Sequence, residues 1–158
     1  MRVAERRRLR ERFGFACGYC GVTESDDGAL LTTDHFQPRT QGGSNEPDNL
    51  VYACHACNEF KGDYRQATGT RRILHLGRDD LSAYVAENAD ATLRGLTPTG
   101  VFHIERLRLN RPALLEHRRA RRRLATAQAE QRALLEQLGQ LESQVNQLTM
   151  QLEALQND

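Results

Sequence analysis

Two cysteine pairs constrain the fold of this chain more than any other feature. Cys17 and Cys20 lie in CGYC, and Cys54 and Cys57 lie in CHAC. The two-residue spacer lets both sulfurs of a pair face one ion, and four thiolates form the tetrahedral ligand set that Zn²⁺ prefers. A redox motif or buried thiols are the alternatives, but a redox motif normally needs only one pair. We therefore predict that these four cysteines hold a structural zinc ion.

The expected compartment follows from what the sequence lacks. Four cysteines in 158 residues are too few for a disulfide scaffold. The Arg-rich N-terminus has no apolar stretch of the kind found in secretory signals, and no run of 18 apolar residues is present to span a membrane. We predict a cytoplasmic protein with reduced thiols and no membrane association.

The order of sequence patterns predicts an α+β fold with three zones. Residues 1–65 should form a zinc-stapled core: a helix, a cysteine knuckle, a strand near 29–35, a loop, a strand near 50–55 and a short helix. Residues 66–109 form a mixed accessory segment, with a helix in RDDLSAYVAENA and a hairpin that pairs TLRGL with VFHIERL. Residues 110–158 form one long helix, with Pro112 in its first turn and Asn110 as its cap.

The long helix carries the heptad pattern of a coiled coil. Nine of the ten seam positions from Leu124 to Leu155 are apolar, and Gln131 is the polar exception. Leucine recurs every seven residues at Leu134, Leu141, Leu148 and Leu155. The alternative is that the helix folds back on its own domain, but it is long for that purpose. We predict a homodimer through this coiled coil.

The segment between the cysteine pairs contains an ordered set of polar residues. Asp34 and His35 end the first strand, Asn49 opens the second, and Asn58 follows Cys57. Each has an ordinary explanation when it is taken alone: a surface dipeptide, a turn former and a helix cap. Because Asp34 and His35 are adjacent on an extended strand, their side chains should point to opposite sides.

Taken together, these residues resemble the HNH endonuclease family, also called ββα-metal or His-Me finger nucleases. The resemblance rests on CGYCG followed by TTDHFQPRTQGGSNEPDNLVYACHACNEFKGD, and it covers roughly residues 15–63. The chain has Asn58 at the third signature position, where other members have His, so it matches the HNN version of the motif.

The resemblance implies a DNA endonuclease that hydrolyses phosphodiester bonds with a single divalent ion, Mg²⁺ or Mn²⁺. His35 would be the general base, since neutral imidazole suits that role near neutral pH. Asp34 and Asn58 would hold the ion through hard oxygen ligands, and the ion would act as a Lewis acid. Asn49 would fix the loop that orients the base.

Charge is segregated along the chain, although the formal net charge is only +1. Residues 24–59 hold seven acidic residues against a lone Arg39. Arginine clusters lie in residues 1–12 and 106–123, before and after this segment, and basic side chains supply the sequence-independent part of DNA affinity. We predict DNA contacts from Arg39, Lys61, Arg118, Arg119, Arg121, Arg122 and Arg123. Loop-bracing charges or a solvated helix face are the alternatives.

Two other classes of function compete with the nuclease. A basic run before a leucine heptad is typical of basic-zipper proteins, so a non-catalytic, zinc-stabilised DNA-binding coiled-coil protein is the main alternative. A zinc-stabilised adaptor protein is the other. The DNA-binding alternative leaves the Asp34, His35, Asn49 and Asn58 set unexplained.

Overall fold

The computed structural model describes residues 3–64, 69–75 and 77–156, with side chains as far as residue 153. Predicted features at residues 1–2, 65–68, 76 and 157–158 therefore lie outside the described residues, as does the side chain of Leu155. The chain divides into two compact units, Met1–Arg118 and Arg119–Asp158. The division into zones at residues 65 and 109 stays a prediction.

Two short helices frame the first cysteine pair. Helix α1 spans Val3–Arg12, and the chain then turns at Gly14, whose φ of 58° favours glycine. Helix α2 spans Glu24–Asp27 and begins with a capping box in which Thr23 and Asp26 bond reciprocally. The knuckle that carries Cys17 and Cys20 lies between them.

A two-stranded sheet and a helix follow in the predicted order. Strand β1, Thr32–His35, pairs antiparallel with strand β2, Leu50–Ala53, and the register places Asp34 opposite Val51. All four residues of β2 are buried. Helix α3, His55–Lys61, begins directly after Cys54 and packs against β1. This arrangement confirms the predicted α+β class.

Two predictions for the accessory segment are wrong. RDDLSAYVAENA is not a helix: Asp80 caps a single turn at Leu81–Ala83, and strand β3, Val85–Glu87, follows. Pairing of β3 with strand β4, Leu93–Gly95, outweighs the local helical spacing.

The predicted hairpin partner of TLRGL is a helix. VFHIERL lies in helix α4, Pro98–Arg106. Thr97 accepts a hydrogen bond from Gly100 N, and Pro98 occupies the first turn, so LTPTG is a helix start and not a turn between strands.

The first unit has one continuous hydrophobic core. Its members come from both cysteine knuckles, β2, α4 and the start of the long helix, and the largest fully buried ones are Tyr19, Leu31, Tyr52, Ile73, Leu107 and Leu109. The accessory segment therefore contributes to the core that supports the cysteine pairs.

Helix α5 spans Pro112–Gln156, with Pro112 in its first turn as predicted. Asn110 is not its cap. The Asn110 side chain accepts from Leu93 N and donates to Leu93 O, at 2.7 and 2.8 Å, and so joins β4 to the segment before α5. None of the helices within the described residues is long and apolar enough to cross a membrane.

Candidate metal centre and nuclease site

The four cysteines meet in one cluster. Their sulfurs all lie within 4.8 Å of one another, and Cys20 Sγ is 3.7 Å from Cys54 Sγ. That separation is far longer than a disulfide bond, and all four thiols are free. The β1–β2 sheet and the start of α3 bring the second pair against the first.

This cluster fits a zinc ion. Four sulfurs about 2.3 Å from a central ion lie roughly 3.8 Å apart, close to the Cys20–Cys54 distance. Because the four thiols lie so close together, their pKa values also differ from one another. The pKa of Cys54 is lowered because neighbouring thiols, Cys17 first, stabilise its thiolate, whereas the pKa of Cys57 is raised because it donates to Cys17 first. Without an ion, the four thiols cannot all be deprotonated at once. A bound divalent ion would stabilise the four thiolates.

Asp34 is buried on the inner side of β1. Its side chain accepts from Tyr19 Oη at 2.6 Å through Oδ2 and from Lys61 Nζ at 3.0 Å through Oδ1. Burial raises the pKa of Asp34, and the Lys61 ammonium and the Tyr19 hydroxyl oppose that rise by stabilising the carboxylate. Tyr19 belongs to the first cysteine knuckle, where its backbone N–H donates to Cys17 Sγ. The same residue therefore contacts both the cysteine cluster and Asp34.

His35 is half-buried and lies at the border of two cavities. His35 Nε2 is 2.9 Å from Asn45 Oδ1. With this amide oxygen as the acceptor, the ring proton is on Nε2, and Nδ1 is the nitrogen with a free lone pair. Asn45 therefore fixes both the tautomer and the orientation of the ring.

Asn49 holds the loop that follows β1. Its side chain accepts from Gln37 N at 2.8 Å and donates to Gln37 O at 3.0 Å and Ser44 O at 2.8 Å. The loop passes so close to itself that a Cβ on Gly43 would lie 1.7 Å from Gln37 O. These contacts fix the backbone between His35 and Asn45.

A cavity of about 290 Å³ brings the signature residues together. Asp34 and His35 line it from β1, Asn58 and Lys61 line it from α3, and Arg39 lines it from the loop. Asn58 Nδ2 donates to Thr32 Oγ1 at 3.4 Å, which leaves the amide oxygen without a hydrogen bond from any residue that the structure describes. Asn49 lies outside this cavity and acts on the loop.

The Asp34 and Asn58 oxygens fit a hard divalent cation. A carboxylate has about four lone-pair sites, and Tyr19 and Lys61 use two of them. Together with the Asn58 amide oxygen, the remaining sites provide the oxygen ligands that Mg²⁺ or Mn²⁺ prefers, with water completing the shell.

The structure changes the interpretation of two predicted DNA contacts. Lys61 is only 1% exposed, and its three N–H groups go to Asp34, His35 O and Gly62 O. Arg118 is 4% exposed and donates to Ala91 O, Leu109 O and Asn110 Oδ1. Both cations therefore brace the fold from inside it, and we remove them from the set of DNA contacts.

The remaining predicted contacts lie at the surface. Arg39 is exposed beside His35. In the second unit, Arg122 is half-buried and the other three predicted arginines, Arg119, Arg121 and Arg123, are exposed.

A larger groove of about 890 Å³ is also lined by His35. α1 contributes basic side chains to it, and its polar lining includes Arg8, Arg12, Thr33, His35, Arg39 and Asn45. Arg12 is already bonded to Pro47 O and Asp48, whereas Arg8 and Arg39 form no salt bridge with any described residue. Three arginines and two glutamates, Glu5 and Glu46, line this groove together with His35.

Sequence reasoning missed Tyr19 and Asn45. No sequence spacing predicts them, because Tyr19 contacts Asp34, and Asn45 contacts His35, only in the folded chain. Tyr19 stands in the knuckle spacer, and Asn45 stands in the Gly-Gly loop. The sole signal was position, since both lie inside the segment that carries the signature.

Two comparisons with known proteins found a match. Residues 17–64 match the family model described as HNH endonuclease. The chain is also similar to a CRISPR-associated endonuclease Cas9 from Corynebacterium diphtheriae, with 32% identity over 92 residues. The match covers 58% of this chain and 8% of that Cas9. No solved structure matches the chain.

Proposed function

We propose that the chain, whose residues 17–64 match the HNH endonuclease family model, is a metal-dependent endonuclease that hydrolyses DNA phosphodiester bonds. The observation that carries the proposal is the cavity in which Asp34, His35 and Asn58 meet. The similar Cas9 is itself an endonuclease by name, which supports the same reaction class.

His35 is the general base in this proposal. Its Nδ1 takes a proton from the attacking water, while Asn45 keeps Nε2 protonated and the ring in place. Asn49 maintains that arrangement through the loop. Base catalysis of this kind contributes about 10²- to 10⁴-fold to the rate.

Asp34 and Asn58 would hold one divalent ion, Mg²⁺ or Mn²⁺. When bound, the ion supplies Lewis-acid stabilisation of the phosphate and of the leaving oxygen. Lys61 and Tyr19 keep the Asp34 carboxylate oriented towards the cavity. The four cysteines would hold a zinc ion that stabilises the fold and takes no part in the reaction.

DNA is the proposed substrate because of the basic groove beside His35. Arg8 and Arg39 line it without forming a salt bridge to any described residue, so both are available for phosphate contacts. The acidic Glu5 and Glu46 also line the groove. Affinity should therefore depend on the arginines and fall as salt is added.

Plasmid cleavage over a Mg²⁺ or Mn²⁺ titration tests the proposal. The metal-free control omits Mg²⁺ and Mn²⁺ and contains no chelator, because a chelator would also remove zinc. We expect wild-type protein to cut only with added ion, and we expect Asp34→Asn and Asn58→Ala to need more of it. Asp27→Ala, at an exposed carboxylate outside the cavity, is the control. If both site variants show the wild-type metal dependence, the ion site is wrong.

We also propose that α5 pairs with a second copy of the chain. Its heptad leucines lie 54–60% exposed, although burial of such residues stabilises by roughly 1.5–3 kcal/mol each. The stripe recurs over a 45-residue helix, about 68 Å long. The large apolar side chains in the described part of this stripe are Leu124, Leu134, Leu138, Leu141, Val145, Leu148 and Leu152.

Light scattering on matched variants tests the pairing. Leu141→Asp places a charge in the seam, whereas Gln140→Asp places the same charge next to it on the same helix. We expect dimers for wild type and Gln140→Asp, and monomers for Leu141→Asp. Monomeric wild-type protein at micromolar concentration would overturn the dimer and leave the nuclease proposal standing.

A further inference from the structure

We propose that Arg111 is a positioning residue of the tetracysteine site, where its guanidinium holds two thiolates and slows the release of bound zinc. Arg111 Nη2 lies 3.8 Å from Cys54 Sγ and 3.7 Å from Cys57 Sγ, and it donates to both. The proposal rests on zinc as the ion of this site and does not depend on nuclease activity.

The fold fixes the Arg111 side chain from two directions. Its Nη1 donates to Leu107 O at 3.2 Å and to Arg108 O at 3.4 Å. The aromatic ring of Phe60, from α3, lies under the guanidinium with 5.5 Å between Cζ and the ring centroid. A planar group held on one edge by carbonyls and on its face by a ring can present its other edge to the sulfurs.

The two cysteine pairs receive different support. In the first pair, the backbone N–H of Tyr19 donates to Cys17 Sγ at 3.4 Å. In the second pair the donor is a full positive charge, because Cys54 and Cys57 face Arg111. Among the described residues, Arg111 is the only cation in hydrogen-bond contact with the sulfurs.

Charge explains why a cation belongs there. Zinc with four thiolates carries a net charge of −2, and Cys17, Cys54 and Cys57 are almost fully buried. A buried negative site is costly unless it is paired. The Arg111 guanidinium therefore offsets part of the negative charge of a zinc–tetrathiolate site at the two sulfurs that it contacts.

Arg111 also joins the zinc-type site to α5, because it directly precedes Pro112. The same side chain contacts both the cysteine cluster and the loop that leads into that helix. One guanidinium therefore contacts both the cysteine cluster and the segment that precedes α5.

Zinc release from the full-length protein tests this role without DNA. Arg111→Met keeps an unbranched chain and removes the charge, and Arg111→Lys keeps the charge but loses the planar fork. Arg108→Met is the matched control: Arg108 lies over the same Phe60 ring at 4.8 Å, and no hydrogen bond from it to sulfur is found among the described residues. Release into a chromogenic chelator gives the rate, and the cobalt-substituted protein gives the sulfur-to-metal charge-transfer bands.

We expect Arg111→Met to release zinc faster, by up to about 10- to 100-fold if the loss of affinity typical for residues that support a metal ligand falls on the release rate. Its charge-transfer bands should shift, since the hydrogen bonds to the thiolates are lost. Arg111→Lys should lie between it and wild type, and Arg108→Met should match wild type.

Two results would overturn the proposal. One is a wild-type release rate and wild-type cobalt bands in both Arg111 variants. The other is an equal effect of Arg108→Met, because that would assign the change to packing on Phe60. If Arg111→Met does not fold, the cobalt bands of Arg111→Lys provide the test. The circular dichroism spectrum of Arg111→Lys must match that of wild type, so that a band shift cannot come from an altered fold. Unshifted bands in that variant would overturn the proposal.

Discussion

Replacing Lys61 by Met should lower the free energy of unfolding, because the buried Asp34 carboxylate loses its counter-ion. Asp34 is 7% exposed and Lys61 is 1% exposed, so the ion pair is shielded from water. Met preserves the apolar stem and removes the ammonium together with its bonds to Asp34, His35 O and Gly62 O. Breaking a buried pair from one side typically costs about 3–5 kcal/mol, because the other charge is left without a partner.

The loss should depend on pH in a defined direction. Burial already raises the pKa of Asp34 in the folded state. For a carboxyl whose folded pKa is raised, the favourable contribution is complete below the unfolded pKa and is lost as pH rises through the folded value. The Lys61→Met protein should therefore be closest to wild type at acidic pH, where Asp34 is protonated, and furthest from it at pH 8.

Urea unfolding followed by circular dichroism, with zinc present and no Mg²⁺, measures this free energy. The double variant Asp34→Asn, Lys61→Met removes both charges and should recover part of the loss, so the two changes are not additive. Additive effects, or a loss below about 1 kcal/mol at pH 8, would refute the assignment of Lys61 as the counter-ion of Asp34.

Three further predictions concern Tyr19, Gly43 and the arginines of the second unit. Tyr19→Phe removes one donor to Asp34 and should cost about 1–3 kcal/mol in urea unfolding while zinc content stays unchanged; unchanged stability would contradict that contact. Gly43→Ala should abolish plasmid cleavage because its Cβ would collide with Gln37 O, whereas Gly139→Ala, with open space around it, should be neutral. Changing four arginines of α5 to Gln should flatten the salt dependence of duplex DNA binding in a filter assay. An unchanged slope would mean that these arginines form a solvent-exposed helix face without DNA contacts. Those four are Arg119, Arg121, Arg122 and Arg123.

The sequence was sufficient for the features that spacing controls. The CGYC and CHAC pairs fix which sulfurs can share an ion, and the structure places all four together. The strand–loop–strand–helix order between and after them also followed from local signals, because breakers such as Gly42, Gly43 and Pro47 mark the loop. Pro112 marked the start of α5 for the same reason.

The failures came where tertiary contacts outweigh local pattern. Tyr84 and Val85 fit a helical spacing, but pairing between β3 and β4 places Val85 in a strand. The sequence predicts phosphate contacts from Lys61 and Arg118 because charged side chains are usually exposed. Burial with a partner is a property of the folded chain, so no spacing could have shown that both are internal braces.

The contacts that support the site were equally hidden. Asn45 reaches His35, and Tyr19 reaches Asp34, only after the loop and the knuckle fold onto β1. Arg111 reaches the sulfurs across more than fifty residues of chain. Such partners carry no regular spacing, and a motif therefore identifies the reacting residues more readily than the residues that hold them.

The most direct test of the central claim compares two histidines on one substrate. With supercoiled plasmid and Mg²⁺, wild-type protein should nick or linearise the DNA, and His35→Ala should lose at least about 10²-fold in rate. His55→Ala, at an exposed histidine on α3, should cleave like wild type. All three proteins should hold the same amount of zinc. Comparable cleavage by His35→Ala and wild type would contradict the proposal that His35 is the base of an HNH nuclease.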